Sequence, residues 1–470
     1  MTRKTNPPNR TASWRRWMFP TGLLLLIITP FLIVLSIEKK TTAAWDAFLT
    51  KWESSGEKFG LHHHLPAPVP TSDNLALHPA LGPFLKTQDP DMDWRQALPA
   101  DLPGWNENAY LLYLKELSEG KAASIFPSFG LDPCSPPEFR SHLGRPYREW
   151  STLMDRYGQA VQERRYLAYE LDWSRLFIDQ DLPDVSAYSR LGKAFLARAA
   201  IRRGLGEAGS SREDLSTAMR LARSYDRLPL LLCQVLQTGL LTSLLDEIRA
   251  GLDERFFDQT RLGEIADLLE EAPTLPGNYL AGLRFERALI LELLTVVEAS
   301  GDPGVLPNPS ASRQGGAIRH ALNRRWMNAN RLALCEDQQE LFLGPGARLA
   351  DVDRWQTSLS LRLADRWGQF IAPLGHEGLV SAQLGTGLAW TLFTADATLH
   401  RTRMAVALSR YEAEHGAFPP RLGDLLPTYL PSLPELDAGI KLRYQLLPNG
   451  GWRLSLQVLD RGRDDWESRS

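Results

Sequence analysis

His62, His63 and His64 stand side by side in a chain of 470 residues, and imidazole is the commonest neutral ligand for a transition metal. Adjacent side chains seldom converge on one ion, and no second ligand cluster accompanies these three, so they read as a solvated loop. Asp89, Asp91 and Asp93 have the opening rhythm of a calcium loop. Trp94 then stands where the turn needs glycine, and Ala100 where a bidentate glutamate belongs, so the motif fails. Glu412 and His415 have the spacing of half a di-iron site, but bundle carboxylate sites require two such pairs, and the remaining histidines supply none. His415 instead reads as a helix C-terminal residue interacting with the helix dipole.

No nucleophile elbow, Walker loop or dinucleotide fingerprint occurs, and His376-Glu377 lacks the second histidine of a zinc-protease motif. Trp94, Trp105, Trp150 and Trp173 are candidates to line a groove, yet aromatics in helical bodies are more often core. The sequence therefore names no catalytic, cofactor-binding or metal-binding residue and expects no cofactor. Cys134, Cys233 and Cys335 fit neither a metal spacing nor a disulfide framework. Cys233, inside the run LLLCQVL, reads as a packed thiol; Cys134 with Cys335 is the one pair worth testing in an oxidising compartment.

What must position any site is set by residues 17–37, an apolar run without a charged side chain. At 1.5 Å per residue it is long enough to cross a hydrocarbon core of roughly 30 Å, and too long for a cleaved secretory signal. Arg3, Lys4, Arg10, Arg15 and Arg16 precede the run, while only Lys39 and Lys40, beside Glu38, follow it. The positive-inside rule then expects a cytoplasmic N-terminus and an extracytoplasmic body on a single-pass inner-membrane anchor. Formal net charge is −3, from 53 basic and 56 acidic residues, which implies no nucleic-acid partner.

The expected organisation is a cytoplasmic tail (1–16), a transmembrane helix (17–37), a juxtamembrane helix with a Pro-rich extended segment (38–105), a helical domain (106–396) and an α+β unit (397–470). In the juxtamembrane stretch Trp45, Phe48, Leu49 and Trp52 keep helical spacing, with Trp45 and Trp52 expected near the membrane interface. Prolines from Pro66 to Pro103 forbid regular structure, but Leu75, Leu77 and Leu81 argue that the segment drapes over the body. Helical periodicity marks 108–117, 157–178, 186–205, 212–225, 229–252, 260–271, 279–299 and 352–370. Ser211 is the expected N-cap of the second helix of a hairpin. Arg284, Arg287 and Glu298 are placed off the apolar stripe formed by Ala281, Phe285, Leu289, Leu293 and Val296. The fold class expected is mainly α: a helical-hairpin stack, tetratricopeptide-like at best, with a small α+β unit carrying a β-hairpin.

At the C-terminus Met404, Leu408, Tyr411 and His415 share a helical stripe that Gly416 should end, ahead of Pro419 and Pro420. Ile440, Leu442, Tyr444 and Leu446 alternate with polar residues, as do Trp452, Leu454, Leu456 and Val458 after a Pro-Asn-Gly-Gly turn. Leu408 and Tyr411 should meet Tyr444, Leu454 or Leu456, with Trp452 at the edge and Arg453 on the opposite face.

Ala405, Leu408, Tyr411, His415-Gly416, Phe418-Pro419, Leu422, Leu425-Leu426, Tyr429-Leu430-Pro431, Leu433-Pro434 and Tyr444 form a pattern that resembles the globular part of type II secretion major pseudopilins. The tail, with the proline run from Pro66 to Asn74, is also similar to a group of uncharacterised single-anchor bacterial envelope proteins. The resemblance implies a pilin-like α+β fold. It departs in the anchor, where Gly22 is followed by LLLLIITPF without the pseudopilin acid, and in the calcium loop, echoed only by Asp460, Asp464 and Asp465. The expected function is that of a membrane-anchored extracytoplasmic scaffold or protein-interaction protein. Its expected partners are the bilayer, through residues 17–37, and envelope or secretion-system proteins. The alternatives are an extracytoplasmic hydrolase whose site assembles only in the fold, and an accessory component of a type II secretion or pilus-like machine.

Overall fold

The computed structural model describes residues 11–81, 136–169, 185–300, 327–343, 373–434, 440–448, 450–458 and 463–467. They are mainly helical, with one small antiparallel sheet. Contacts divide the chain into two compact units: Met1–Gly60, Leu289–Leu341 and Thr357–Ala382 form the first, and Leu61–Ala288, Phe342–Gln356 and Gln383–Ser470 the second.

In the first unit, helix α1 spans Thr11–Ser54 without a break. The expected junction between an anchor and a separate juxtamembrane helix is absent because neither glycine nor proline interrupts the sequence between Pro30 and Ser54. Trp45, Phe48, Trp52 and Phe59 pack with Leu294, Val297, Met327, Leu334 and Cys335 into one core, with Trp45 stacked on Phe48 at 5.6 Å between ring centres. The aromatic stripe expected near the membrane interface is thus covered by protein. Its cover comes from the end of α7 (Leu275–Ser300) and from α8 (Met327–Asp337), tied together by Arg331 donating to Glu298 at 2.6 Å. Within the end of the apolar run itself, Val34 and Ile37 pack against Ala329 of α8, as does Ala333, whereas Ile28, Leu32, Ile33 and Leu35 are exposed. Among the described residues no helix is long and apolar enough to cross a membrane; the side chains of residues 17–27, Pro30 and Phe31 lie outside that set.

The second unit is built from α2 (Pro136–Glu163), α3 (Ser186–Gly204), α4 (Ala208–Ser224), α5 (Leu231–Asp253), α6 (Gln259–Glu270) and the first part of α7. Helix α3 ends where the Glu207 N–H reaches Arg202 O at 2.8 Å and Gly206 takes φ +76°, a left-handed position that glycine adopts without steric cost. The chain then turns at once into α4. Ser211 is therefore inside that helix rather than at its N-cap, and its hydroxyl donates to Ala199 O at 2.9 Å. Gly192 lets α3 approach α5, since a Cβ there would stand 2.5 Å from Leu240.

The helix expected over 157–178 stops at Glu163. From Arg164 the chain is bound to the proline-rich segment instead: the Leu75 N–H donates to Tyr166 O at 2.7 Å and the Tyr166 N–H to Asp73 O at 3.0 Å. The buried Asn74 amide clamps the pair, donating to Ala168 O at 2.8 Å and accepting from the Ala168 N–H at 3.2 Å. A long-range partner outweighs helical periodicity there, and Leu75 and Leu81 are buried as a draped segment requires. Arg287, expected off the apolar stripe, is fully buried, and Leu283 and Ala288, also off that stripe, are buried with it, so this helix is covered on more than one face. The expected helices over 108–117 and 352–370, and residues 82–105, lie outside the described residues.

Helix α9 (Pro373–His415) ends as expected, with Gly416 at φ +73°. Strands β1 (Ile440–Leu446) and β2 (Trp452–Val458) occupy the positions expected of the hairpin, Tyr444 opposite Leu454. Met404, Leu408, Phe418, Leu425, Leu430, Trp452 and Leu454 form the core, with Tyr411 and Tyr444 packed against it. Trp452 is buried against Phe418, at 6.3 Å between ring centres, rather than at the edge. A third strand, β3 (Arg463–Glu467), pairs with β2 and makes the order β1-β2-β3. Its sequence RDDWE carries no alternation to announce it, and its charges suit an edge strand.

Candidate functional site

The second unit buries more charge than its periodicity suggests. Arg198 on α3 and Asp214 on α4 lie equally far from Gly206 along the chain, so the hairpin brings them face to face. The Arg198 guanidinium donates to Asp214 through Nη2 at 2.6 Å and Nε at 3.0 Å, and through Nη1 to Asp155 on α2 at 2.7 Å. Arg202 adds a bond to Asp214 at 3.0 Å. Burial pushes the Asp214 carboxyl up, opposed by the hydrogen bond and charge of Arg198 and the charge of Arg202. Across α3 and α5, Arg203 holds Glu247 at 2.8 Å and also pairs with Glu254. Glu286 on α7 has no such guanidinium bond; it accepts the Leu231 N–H at 3.3 Å, and burial pushes its carboxyl up to about 7. These groups join helices, and their oxygens point into contacts already made.

Two cavities open on this framework. The first, of about 320 Å³, is lined by Asp73, Glu163, Arg165, Tyr166, Arg223 and Glu271 among others. His78 Nε2 lies 2.9 Å from Glu163, a pairing that holds the Glu163 carboxyl below the usual carboxylate range, together with the bond from Gln159. The other ring nitrogen, Nδ1, accepts the Ala80 N–H at 3.1 Å. With Nδ1 an acceptor, Nε2 carries the proton and donates it to Glu163. Both ring nitrogens are engaged in holding the 73–81 segment, so the His78 imidazole offers no free lone pair for general base work.

The second cavity, of about 340 Å³, lies where α5 ends, lined by Leu252, Asp253, Arg255, Phe257, Glu412, Phe418 and Trp452 among others. The end of α5 repeats the geometry at Gly206: the Phe256 N–H reaches Gly251 O at 2.9 Å and the Arg255 N–H reaches Leu252 O at 3.0 Å. Here the left-handed residue is Arg255, at φ 53°. A side chain in that conformation costs about 1 kcal/mol relative to glycine. Arg255 Nη2 lies 3.2 Å from Glu412, the two side chains 62% and 28% exposed.

The residues flagged by sequence do not converge. His62 and His63 are exposed, their rings 3.8 Å apart in a short turn. Glu412 turns toward Arg255, while His415 stacks on Tyr411 at 4.1 Å and its Nδ1 meets Tyr411 O at 3.1 Å, the helix-end role expected. Asp464 and Asp465 sit in β3 opposite Leu456 and Ser455 rather than in a loop. Burial pushes the Cys233 thiol up to about 12, as suits a packed residue; Cys335 is buried in the first unit's core. Asp89, Asp91, Asp93, Cys134 and Asp460 lie outside the described residues, and among those described no three His, Cys, Asp or Glu side chains gather to hold a metal. Comparison of the chain with protein-family models, with curated proteins and with solved structures gave no match.

Proposed function

We propose that this protein is a single-pass membrane-anchored scaffold, its N-terminus cytoplasmic and its body extracytoplasmic, serving as an interaction platform for envelope proteins. The observation that carries the reading is the change of surroundings along one unbroken helix. Ile28, Leu32, Ile33 and Leu35 of α1 are exposed, and a few turns on Trp45, Phe48 and Trp52 are buried in protein. Exposed aliphatic side chains at consecutive turns are costly in water and at home in lipid. These four residues belong to the run from 17 to 37, which carries no charged side chain.

The body follows as a stack of helical hairpins, tetratricopeptide-like in format, whose buried arginine–carboxylate ties make it stiff. The unit of α9 and the sheet is pilin-like on this reading: a long helix closed at Gly416, with an antiparallel sheet packed on its end. That likeness also favours a role beside a type II secretion or pilus-like machine. The test is fractionation joined to envelope cross-linking. The full chain should stay in the membrane pellet after carbonate extraction, a chain lacking residues 1–40 should leave it, and reproducible cross-linked partners should be recovered with the full chain. Release of the full chain by carbonate, or the lack of any reproducible partner, would contradict the proposal.

A further inference from the structure

We propose that the free edge of β1 receives an extended segment of a partner protein as a fourth strand, one carrying acidic residues on one face and apolar residues on the other. Among the described residues the sheet ends at β1, whose strand neighbour is β2. Which backbone groups are left over follows from the hairpin. The Leu447 N–H donates to Gly451 O at 2.7 Å, and hydrogen-bonded and non-bonded pairs alternate along an antiparallel ladder. With Leu446 opposite Trp452 and Tyr444 opposite Leu454, Arg443 and Gln445 bond to β2, while the N–H and C=O groups of Leu442, Tyr444 and Leu446 point toward the free edge. Among the described residues no backbone group meets them there. The opposite edge is β3, shorter and charged at four of the five positions of RDDWE; β1 runs for seven residues without a proline. A row of unpaired groups of that length is a template for another chain.

The side chains of β1 define what that chain carries. On the core face, Trp452 and Leu454 of β2 are buried, whereas Leu442 and Tyr444 of β1 are half-buried and Leu446 is 42% exposed. The apolar face is thus covered at β2 and open at β1, and an added strand with apolar residues in register would cover it. On the other face Arg443 is exposed, with no ion pair among the described residues, and Lys441 stands at the next position of the same alternation. Opposite charges across neighbouring strands stabilise a sheet and like charges destabilise it; the β2–β3 register follows this rule, with Glu467 opposite Arg453. A second copy pairing β1 with β1 would bring two cationic rows together. The same cations therefore disfavour the chain's own edge and favour an acidic strand.

The proposal rests on the scaffold reading only in taking the strand to come from a partner protein; the edge is tested with a synthetic one. A fluorescein-labelled peptide Glu-Val-Glu-Val-Glu-Val-Glu should bind the purified full-length chain in an anisotropy titration, and its Lys-Val counterpart should not. In antiparallel pairing the valines stand opposite Leu442, Tyr444 and Leu446 and turn their N–H groups toward β1. N-methylation of the valines should therefore abolish binding, and N-methylation of the glutamates should leave it. Leu446→Pro removes an edge donor at a place where an edge strand accepts proline, and should weaken the acidic peptide about tenfold; Leu446→Ala, which keeps the N–H, should weaken it less. Arg443→Glu should weaken it about tenfold and admit the lysine peptide, with unchanged melting midpoints as the check on folding. Binding of neither peptide, equal binding of the two methylated forms, or an unaltered charge preference in Arg443→Glu would each overturn the proposal. Self-association of the parent chain that Leu446→Pro abolishes would overturn it too, by putting a second copy on the edge. Any of these results alongside membrane retention and reproducible cross-links would leave the scaffold reading standing.

Discussion

Arg198 and Arg255 each hold a carboxylate on another helix, in opposite surroundings. Arg198 and Asp214 are 3% and 1% exposed and share further bonds with Asp155 and Arg202; Arg255 and Glu412 face an open cavity with a single contact between them. In low dielectric an unpaired charge is expensive, so the first pair can only be kept or lost as a whole. In water the second is worth at most about 1 kcal/mol. The same two chemical groups act as a structural tie in one place and as a weak solvent-facing pair in the other.

Substituting Asp214 is the strongest way to break the contrast. Asp214→Ala strands Arg198 in the interior and should cost about 3–5 kcal/mol in denaturant unfolding, whereas Glu412→Ala should cost less than about 1 kcal/mol. Equal losses would remove the distinction. An apolar control lies in the C-terminal core, where Leu454 is fully buried: Leu454→Ala should cost about 2–5 kcal/mol through the cavity left, and Arg453→Ala little. Equal protease resistance of the two would mean that the sheet packs through its other face.

Glu286 sharpens the comparison, because burial without a guanidinium bond raises its carboxyl to about 7. A folded-state value above the unfolded value near 4.5 means the fold holds this proton more tightly. Stability from this group is then full below about pH 4.5 and falls as pH rises through about 7. Glu286→Gln should therefore raise stability at pH 8 by about 3 kcal/mol and leave it unchanged at pH 4. A gain of the same size at both pH values would show that charge is not the cause. The smallest pair of effects concerns two of the left-handed helix ends: Gly206→Ala should lower stability by about 1 kcal/mol and Arg255→Gly should raise it by a similar amount.

The elements were legible wherever one face had to be buried. Alternation gave both hairpin strands, and Gly416 with the two following prolines gave the end of α9. Periodicity also located α3 to α7. It overran at Glu163, because Asn74 and the backbone of Asp73 and Leu75 reach across from far along the chain to take Tyr166 and Ala168, and a local pattern carries no sign of a distant partner. Arg287 was misplaced for a related reason: a stripe argument assumes one buried face, and α7 is covered on more than one. The cavity residues were hidden because the end of α5, with Asp253 and Arg255, meets Glu412 of α9 and Trp452 of β2 from far along the chain. One local signal was available, an arginine at the position where Gly206 ends α3 and Gly416 ends α9.

The central claim, an anchor with its body outside the cytoplasm, is tested most directly by topology. Alkaline phosphatase joined after Ser470 should be active, and the same enzyme joined near Arg16 inactive. Activity only in the fusion near Arg16 would contradict the account.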